Sequence, residues 1–306
     1  MDLTALLRDR YGLDAVLTAA DGGHDPDAAV WRAVAPDGRV YAVKRSAAGV
    51  AHGLHAVAHL SAHHVPGVPA TVPTLDGRAC LVLDGGELSV TEWITGEGGW
   101  GQVLGERWRA YGELMAAVHA VSALGGLPVE DWRPIATGPT RVMDERMSGL
   151  GDEIAVVWRA NSARILAAAD RTEKLAATLD RDVPYVLTHG DPHLGNVIQD
   201  ERGVWLIDWD GAAMAPAERD LSFFHYGWIA DPAMTAADKA AFFAGYGGRE
   251  PDPARLSYYL HARALEDLES WARSGLEDAA AEDRDFSLRI FRGLVGDGGV
   301  LTLSEG

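Results

Sequence analysis

Leu187-Thr188-His189-Gly190-Asp191-Pro192-His193-Leu194-Gly195-Asn196-Val197-Ile198 is followed by Val204-Trp205-Leu206-Ile207-Asp208-Trp209-Asp210, and the reading of the chain turns on this stretch. An apolar run ends at His189, and a loop then presents Asp191 and, five residues on, Asn196. Two apolar strands follow, joined by a turn at Asp200-Glu201-Arg202-Gly203, and they end at Asp208, twelve residues after Asn196. A hairpin of that length sets Asn196 and Asp208 side by side and leaves Asp191 at the loop tip. Burying three polar groups between apolar strands is unfavourable unless partners are supplied. A metal ion and phosphates would supply them, whereas a plain polar hairpin with capping aspartates would not.

Phosphoryl transfer needs this arrangement. The transferred group passes through a loose transition state, so catalysis is mostly positioning and charge neutralisation. Mg2+ is hard and takes one or two protein oxygens beside phosphates and water; Asn196 and Asp208 offer such oxygens. Asp191 is placed to orient an acceptor hydroxyl and take its proton. His-Gly-Asp-x-His-x-x-Asn followed by Ile-Asp-Trp-Asp resembles the catalytic and metal motifs of the aminoglycoside phosphotransferase family, which shares the protein-kinase fold. The resemblance implies Asp191 as the catalytic aspartate and Asn196 and Asp208 as metal ligands. It further implies that Asp220, in Ala215-Pro216-Ala217-Glu218-Arg219-Asp220-Leu221, steadies the catalytic loop from the start of a helix. His189 and Asp220 are thus expected to support the site rather than touch reactants.

The rest of the chain is organised around this insert. Residues 3–10 look like a short helix and 13–19 like a strand. Val30 to Val34 and Val40 to Arg45 form a hairpin about Pro36-Asp37-Gly38 that ends in Lys44. Residues 50–63 have helical character, and 79–83 and 88–94 read as strands around Asp84-Gly85-Gly86. Thr95 to Gly101 breaks regular structure, so the lobe boundary is placed there, dividing 1–95 from 96–306. Apolar spacing predicts a helix from Glu106 to Val121. Helices are also expected over 140–179, 217–229, 235–246 and 253–292. The fold class is therefore α+β: a two-lobed, protein-kinase-like chain with a small antiparallel N-terminal sheet and a larger, mostly helical C-terminal lobe.

Lys44 stands where the family's strand lysine would meet the α- and β-phosphates. A departure follows. No Asp or Glu lies between Lys44 and Asp76, so the usual helix glutamate is missing. His55 falls about where it would be, and Asp208 is a candidate partner instead. His52, His55, His59, His63 and His64 include i,i+4 pairs, but with no carboxylate or cysteine nearby they read as a partly exposed helix rather than a metal site. Gly22-Gly23-His24-Asp25-Pro26-Asp27-Ala28 is a turn whose amides could cover phosphates, although it lacks the G-x-G-x-x-G form. Asp-Pro-Asp-Ala-Ala-Val-Trp-Arg-Ala-Val, Gly98-Gly99-Trp100 and Ala-Pro-Ala-Glu-Arg-Asp-Leu resemble most the spectinomycin phosphotransferase branch of the family. Glu92-Trp93-Ile94 should lie beside the adenine; backbone readout there does not separate ATP from GTP.

The 306 residues carry 27 basic and 45 acidic side chains, a formal charge of −18. Such a surface repels nucleic acid and anionic membranes and attracts cations. The acceptor is therefore expected to be a small, cationic molecule. Trp209 and Asp210, beside the metal motif, and Glu266 and Asp267, on an acidic helix with Glu269, are the candidates to contact it. Glu277, Asp278, Glu282, Asp283 and Asp285 read as solvated faces, and Trp228 and Trp271 as core. The single cysteine, Cys80, the lack of a signal-like start and the lack of a membrane-length apolar run fit a cytoplasmic protein. Rival readings are a metabolite kinase of the same fold and an inactive kinase-like binding protein. No GxxxxGK[ST], GxGxxG or GxSxG pattern supports another enzyme class.

Overall fold

Asp2 caps the first helix, α1 (Leu3–Tyr11), by accepting from the Thr4 and Ala5 amides, and Gly12 ends it at φ 65°. In this computed structural model of the protein, the described residues are 2–20, 28–46, 49–99, 101–102, 104–122, 124–227, 233–247, 250–278 and 280–303. The expected glycine-rich turn at 22–27, Trp100 and Trp228 lie outside them. Five strands follow α1 in one antiparallel sheet: β1 (Val16–Ala19), β2 (Ala29–Val34), β3 (Val40–Ser46), β4 (Leu81–Leu83) and β5 (Gly86–Glu92), in the order β1-β2-β3-β5-β4. Leu7 and Tyr11 of α1 pack on Ala33, Val43, Leu88 and Val90, and the Tyr11 hydroxyl donates to the Leu88 carbonyl at 2.6 Å. Alternation on β3 then sends Lys44 to the face opposite Val43, paired in register with Val30 and Ser89. The helix α2 (Ala51–Ala62) follows β3.

Thr95 to Gly101 was expected to lack regular structure, yet Glu97–Gly98 forms a short strand, β6, against β8 (Val197–Asp200). Gly96 makes this possible, since a Cβ there would sit 2.3 Å from the Gln199 carbonyl oxygen. The strand β9 (Gly203–Leu206) completes this three-stranded sheet, while β7 (Val186–Thr188) pairs with β10 (Ala213–Ala215). The helix α3 (Trp108–Ala120) crosses α7 (Ala236–Tyr246) through two glycines. A Cβ on Gly112 would meet the Phe242 oxygen at 2.0 Å, and one on Gly245 the Arg109 oxygen at 2.0 Å.

The remaining helices are α4 (Thr137–Ser148), α5 (Glu153–Thr178), α6 (Glu218–Tyr226), α8 (Pro253–Glu277), α9 (Ala281–Val295) and α10 (Val300–Leu303). The single helix expected over 253–292 is thus two, broken after Glu277. The chain falls into two compact units. One comprises Met1–Val129, Pro184–Asp220 and Ile229–Arg249, and the other Glu130–Val183, Leu221–Trp228 and Glu250–Gly306. In the second unit Trp158 and Phe291 stack at 5.7 Å within a core that includes Ile165, Leu265 and Leu268. Each such side chain contributes about 1.5–3 kcal/mol by burial. Trp271 packs against that core, as expected. Among the described residues no helix is long and apolar enough to cross a membrane.

Candidate active site

The loop from His189 to Asn196 is held from below by one carboxylate. Asp220, near the start of α6 and fully buried, accepts from the backbone amides of His189 at 2.8 Å and Gly190 at 2.7 Å. His119, close to the end of α3, lies 3.1 Å from the same carboxylate, and its other ring nitrogen lies 2.8 Å from the Tyr246 hydroxyl. Burial alone would raise the Asp220 pKa. The His119 hydrogen bond, with the nearby Arg219 guanidinium, outweighs burial and holds the group below the ordinary carboxylate value. Gly190 adopts φ 87°, and a Cβ there would lie 2.5 Å from the Arg219 guanidinium. That guanidinium donates to the Thr188 hydroxyl and the Gly211 carbonyl.

His189 is buried, and its partners assign its tautomer. The Asp191 amide donates to Nδ1 at 3.1 Å, so Nδ1 is an acceptor and Nε2 donates to the Ile207 carbonyl at 2.9 Å. Burial is the largest influence on its pKa and lowers it, against the opposing carboxylates. This neutral ring ties the loop to the strand that leads to Asp208. The Tyr111 hydroxyl donates to the Pro192 carbonyl at 2.8 Å, and its own pKa is driven well up by burial and then by Asp220 and Asp191. The Gln102 amide donates to the carbonyls of Leu194 and Val197.

The hairpin β8–β9 pairs Val197 with Leu206, and the Ile207 amide donates to the Asn196 carbonyl at 2.9 Å. Asn196 and Asp208 thus sit at adjacent ends of one ladder. The Asn196 side-chain amide donates to the Asp191 carbonyl at 2.9 Å. Its amide oxygen is then the atom offered to a hard cation. Together with the Asp208 carboxylate, 43% exposed, this all-oxygen donor set fits Mg2+. His193 Nε2 lies 3.2 Å from Asp191 Oδ2.

Lys44 finds its acid in this hairpin rather than in α2. Its ammonium lies 2.6 Å from Asp208 Oδ1 and 2.9 Å from Asp210 Oδ2. Burial pulls the Lys44 pKa down, but the two carboxylates together raise it above the ordinary value. His55 is exposed. His59 and His63 direct ring nitrogens to the carbonyls of Ser122 and His59.

Two of the residues expected beside the acceptor have protein partners in the structure. Trp209 is 2% exposed, its indole N–H donates to the Leu206 carbonyl, and its ring packs edge-on to His189 at 4.6 Å, so it braces the loop instead of meeting an acceptor. Asp210, expected on the acceptor, pairs with Lys44. The amides of Glu92 and Trp93 donate to the carbonyls of Ala70 and Val40, and the Glu92 carboxylate pairs with Arg202 at 2.6 Å. Ile94 is buried. In the second unit Glu266 is exposed and Asp267 pairs with Arg263 at 2.8 Å along α8. His119, Tyr246, Tyr111 and Gln102 were missed, because none of these side chains gives a local sign of a partner far along the chain.

The family model described as the phosphotransferase enzyme family matches residues 16–259. The structure is similar to that of spectinomycin phosphotransferase APH(9)-Ia in complex with ADP and spectinomycin, with 24% identity, a TM-score of 0.84 and coverage of 99% of this chain and 97% of that one. It is similar to macrolide 2'-phosphotransferase MphH from Brachybacterium faecium, with 20% identity, a TM-score of 0.56 and coverage of 94% and 97%. It also resembles amicoumacin kinase hAmiN in complex with AMP-PNP, Ca2+ and Ami, with 16% identity, a TM-score of 0.63 and coverage of 94% and 89%. No curated protein matches the sequence. At these identities the structural likeness establishes the fold: an α+β, protein-kinase-like architecture, as the sequence leads one to expect.

Proposed function

The chain belongs to the phosphotransferase enzyme family, and from that premise we propose that it transfers the γ-phosphate of ATP to a hydroxyl of a small cationic acceptor of the aminocyclitol-antibiotic class. One observation carries this reading. Lys44 and Asp208, 164 residues apart in sequence, meet at 2.6 Å beside the open end of the β8–β9 hairpin, the same end that carries Asn196, whose side-chain amide donates to the Asp191 carbonyl. A strand cation, a metal-type carboxylate and an acceptor-side carboxylate are thereby gathered about one bend, as phosphoryl transfer requires.

In this reading residues 1–95 form the nucleotide lobe and 96–306 the helical lobe. The segment Glu92–Ile94 borders the adenine. Lys44 neutralises the α- and β-phosphates, and Asp191 orients the acceptor hydroxyl and takes its proton. Asp208 and the Asn196 amide oxygen would hold Mg2+, which when bound offsets the charge on the phosphates. The bound spectinomycin of one fold neighbour and the bound Ami of another motivate the acceptor class, and the charge of −18 suits a cation.

The test is a screen of the purified protein with ATP and Mg2+ against spectinomycin, other aminocyclitols and amino-alcohol metabolites, read by phosphate mass gain. Phosphorylation of an aminocyclitol is expected, and Asp191→Ala should slow it about 10²–10⁴-fold. Turnover confined to metabolite alcohols would replace the acceptor class. Absence of transfer to every acceptor would sink the reading.

A further inference from the structure

The helix α2 carries no carboxylate along its whole length, Ala51–Ala62. The structure shows why none is needed there. Gly53 lies directly on the backbone after β9: a Cβ at this position would be 2.2 Å from the Trp209 carbonyl oxygen and 3.1 Å from the Asp210 Cα. The helix therefore meets the Trp209–Asp210 backbone at van der Waals range without a side chain between them. The carboxylate that reaches Lys44 comes from that backbone instead.

Lys44 contacts two carboxylates, and they are not equivalent. Asp208 is 43% exposed, and Asp210 is 25% exposed. Asp208 also occupies φ 63°, a strained value for a non-glycine residue. Asp210 rides on a turn closed by the Ala212 amide donating to the Trp209 carbonyl at 2.9 Å, and the buried indole of Trp209 anchors it. At the other end, Lys44 sits in a central strand bonded on both sides.

We propose that Asp210 is the standing ion-pair partner that positions Lys44, doing from the β9–β10 turn what no residue of α2 can do, so that Asp208 is released to a divalent cation while Lys44 stays in place. This rests on the kinase reading. Asp210 is a positioning residue: it acts on the phosphates only through the lysine.

The ion pair is read without nucleotide or turnover by labelling the folded protein with an amine-reactive acetylating reagent at pH 8.5 and following the Lys44 peptide by mass spectrometry. In Asp210→Asn the Lys44 ammonium loses its enclosed partner at 2.9 Å, and labelling is expected to rise severalfold because the amine is no longer held against a carboxylate. In Asp208→Asn labelling should stay within about twofold of the parent. Thermal melts establish that both near-isosteric variants are folded. Equal labelling of Asp210→Asn and the parent, or a larger rise in Asp208→Asn, overturns the proposal.

A second arm is a double-variant cycle in phosphoryl transfer. Lys44→Met and Asp210→Asn should be non-additive, with the pair no slower than Lys44→Met alone within about threefold. Losses that multiply overturn the proposal. A parent protein that transfers phosphate to nothing sinks the kinase reading instead, and the labelling arm still decides whether Asp210 holds Lys44.

Discussion

Asp220 shows how one side chain sets the geometry of a loop it never joins. Its carboxylate closes two backbone amides and faces His119. Asp220→Ala orphans two buried donors, each worth about 1–3 kcal/mol, so unfolding in urea at pH 7 should show a loss of about 2–6 kcal/mol. Asp220→Asn separates charge from shape. The folded carboxylate has a lowered pKa, so its contribution is present above the unfolded value of about 3.9 and is lost as pH falls through the lower folded value. The melting-temperature gap between parent and Asp220→Asn should hold from neutral pH to about pH 5 and close as the solution is acidified past about pH 4. A gap unchanged at every pH would mean that shape alone matters. Gly190 is a second single-residue constraint, because both its φ of 87° and the guanidinium at 2.5 Å oppose a methyl group. Gly190→Ala should lower stability by about 1–3 kcal/mol and kcat with it, since the strain is placed one residue before Asp191.

At the scale of elements, the helix α2 is built to approach a backbone. Gly53→Ala must push the helix from Trp209, and overpacking of this kind costs about 1–3 kcal/mol. Because the displaced segment carries Asp208 and Asp210, the KM for ATP should rise more than stability alone explains. A variant that loses stability but keeps its KM would confine Gly53 to packing. The β8–β9 hairpin was legible in the sequence because its signals are local: apolar runs, a four-residue turn and polar residues at fixed offsets. The strands β2 to β5 were legible for the same reason, by alternation and turn residues. The strand β6 was not, because its two residues are ordered by a partner at 198–199 rather than by any pattern of their own. The break between α8 and α9 escaped because Asp278 to Ala280 carries neither glycine nor proline.

Across the whole molecule, long-range pairing and net charge divide what a sequence reveals. The partner of Lys44 lies more than half the chain away, and only the absence of a helix acid hinted at Asp208; Asp210 was assigned to the acceptor because nothing local distinguishes a carboxylate that binds lysine from one that binds substrate. Net charge, by contrast, is read directly. Internal pairing of Asp267 with Arg263 and of Glu269 with Arg273 consumes part of the acidity of α8, but pairing does not alter the sum of −18. That sum acts at a distance and is screened over about 10 Å at 0.1 M salt. For a polycationic acceptor, kcat/KM should therefore fall about three- to tenfold as ionic strength rises from about 0.02 to 0.3 M, with kcat unchanged because the chemistry lies inside the site. An uncharged acceptor of similar size is the control, and its kcat/KM should stay flat. Should both acceptors respond alike, the acidity of the chain serves solubility, and the cationic character of the acceptor would have to be argued from the binding site alone.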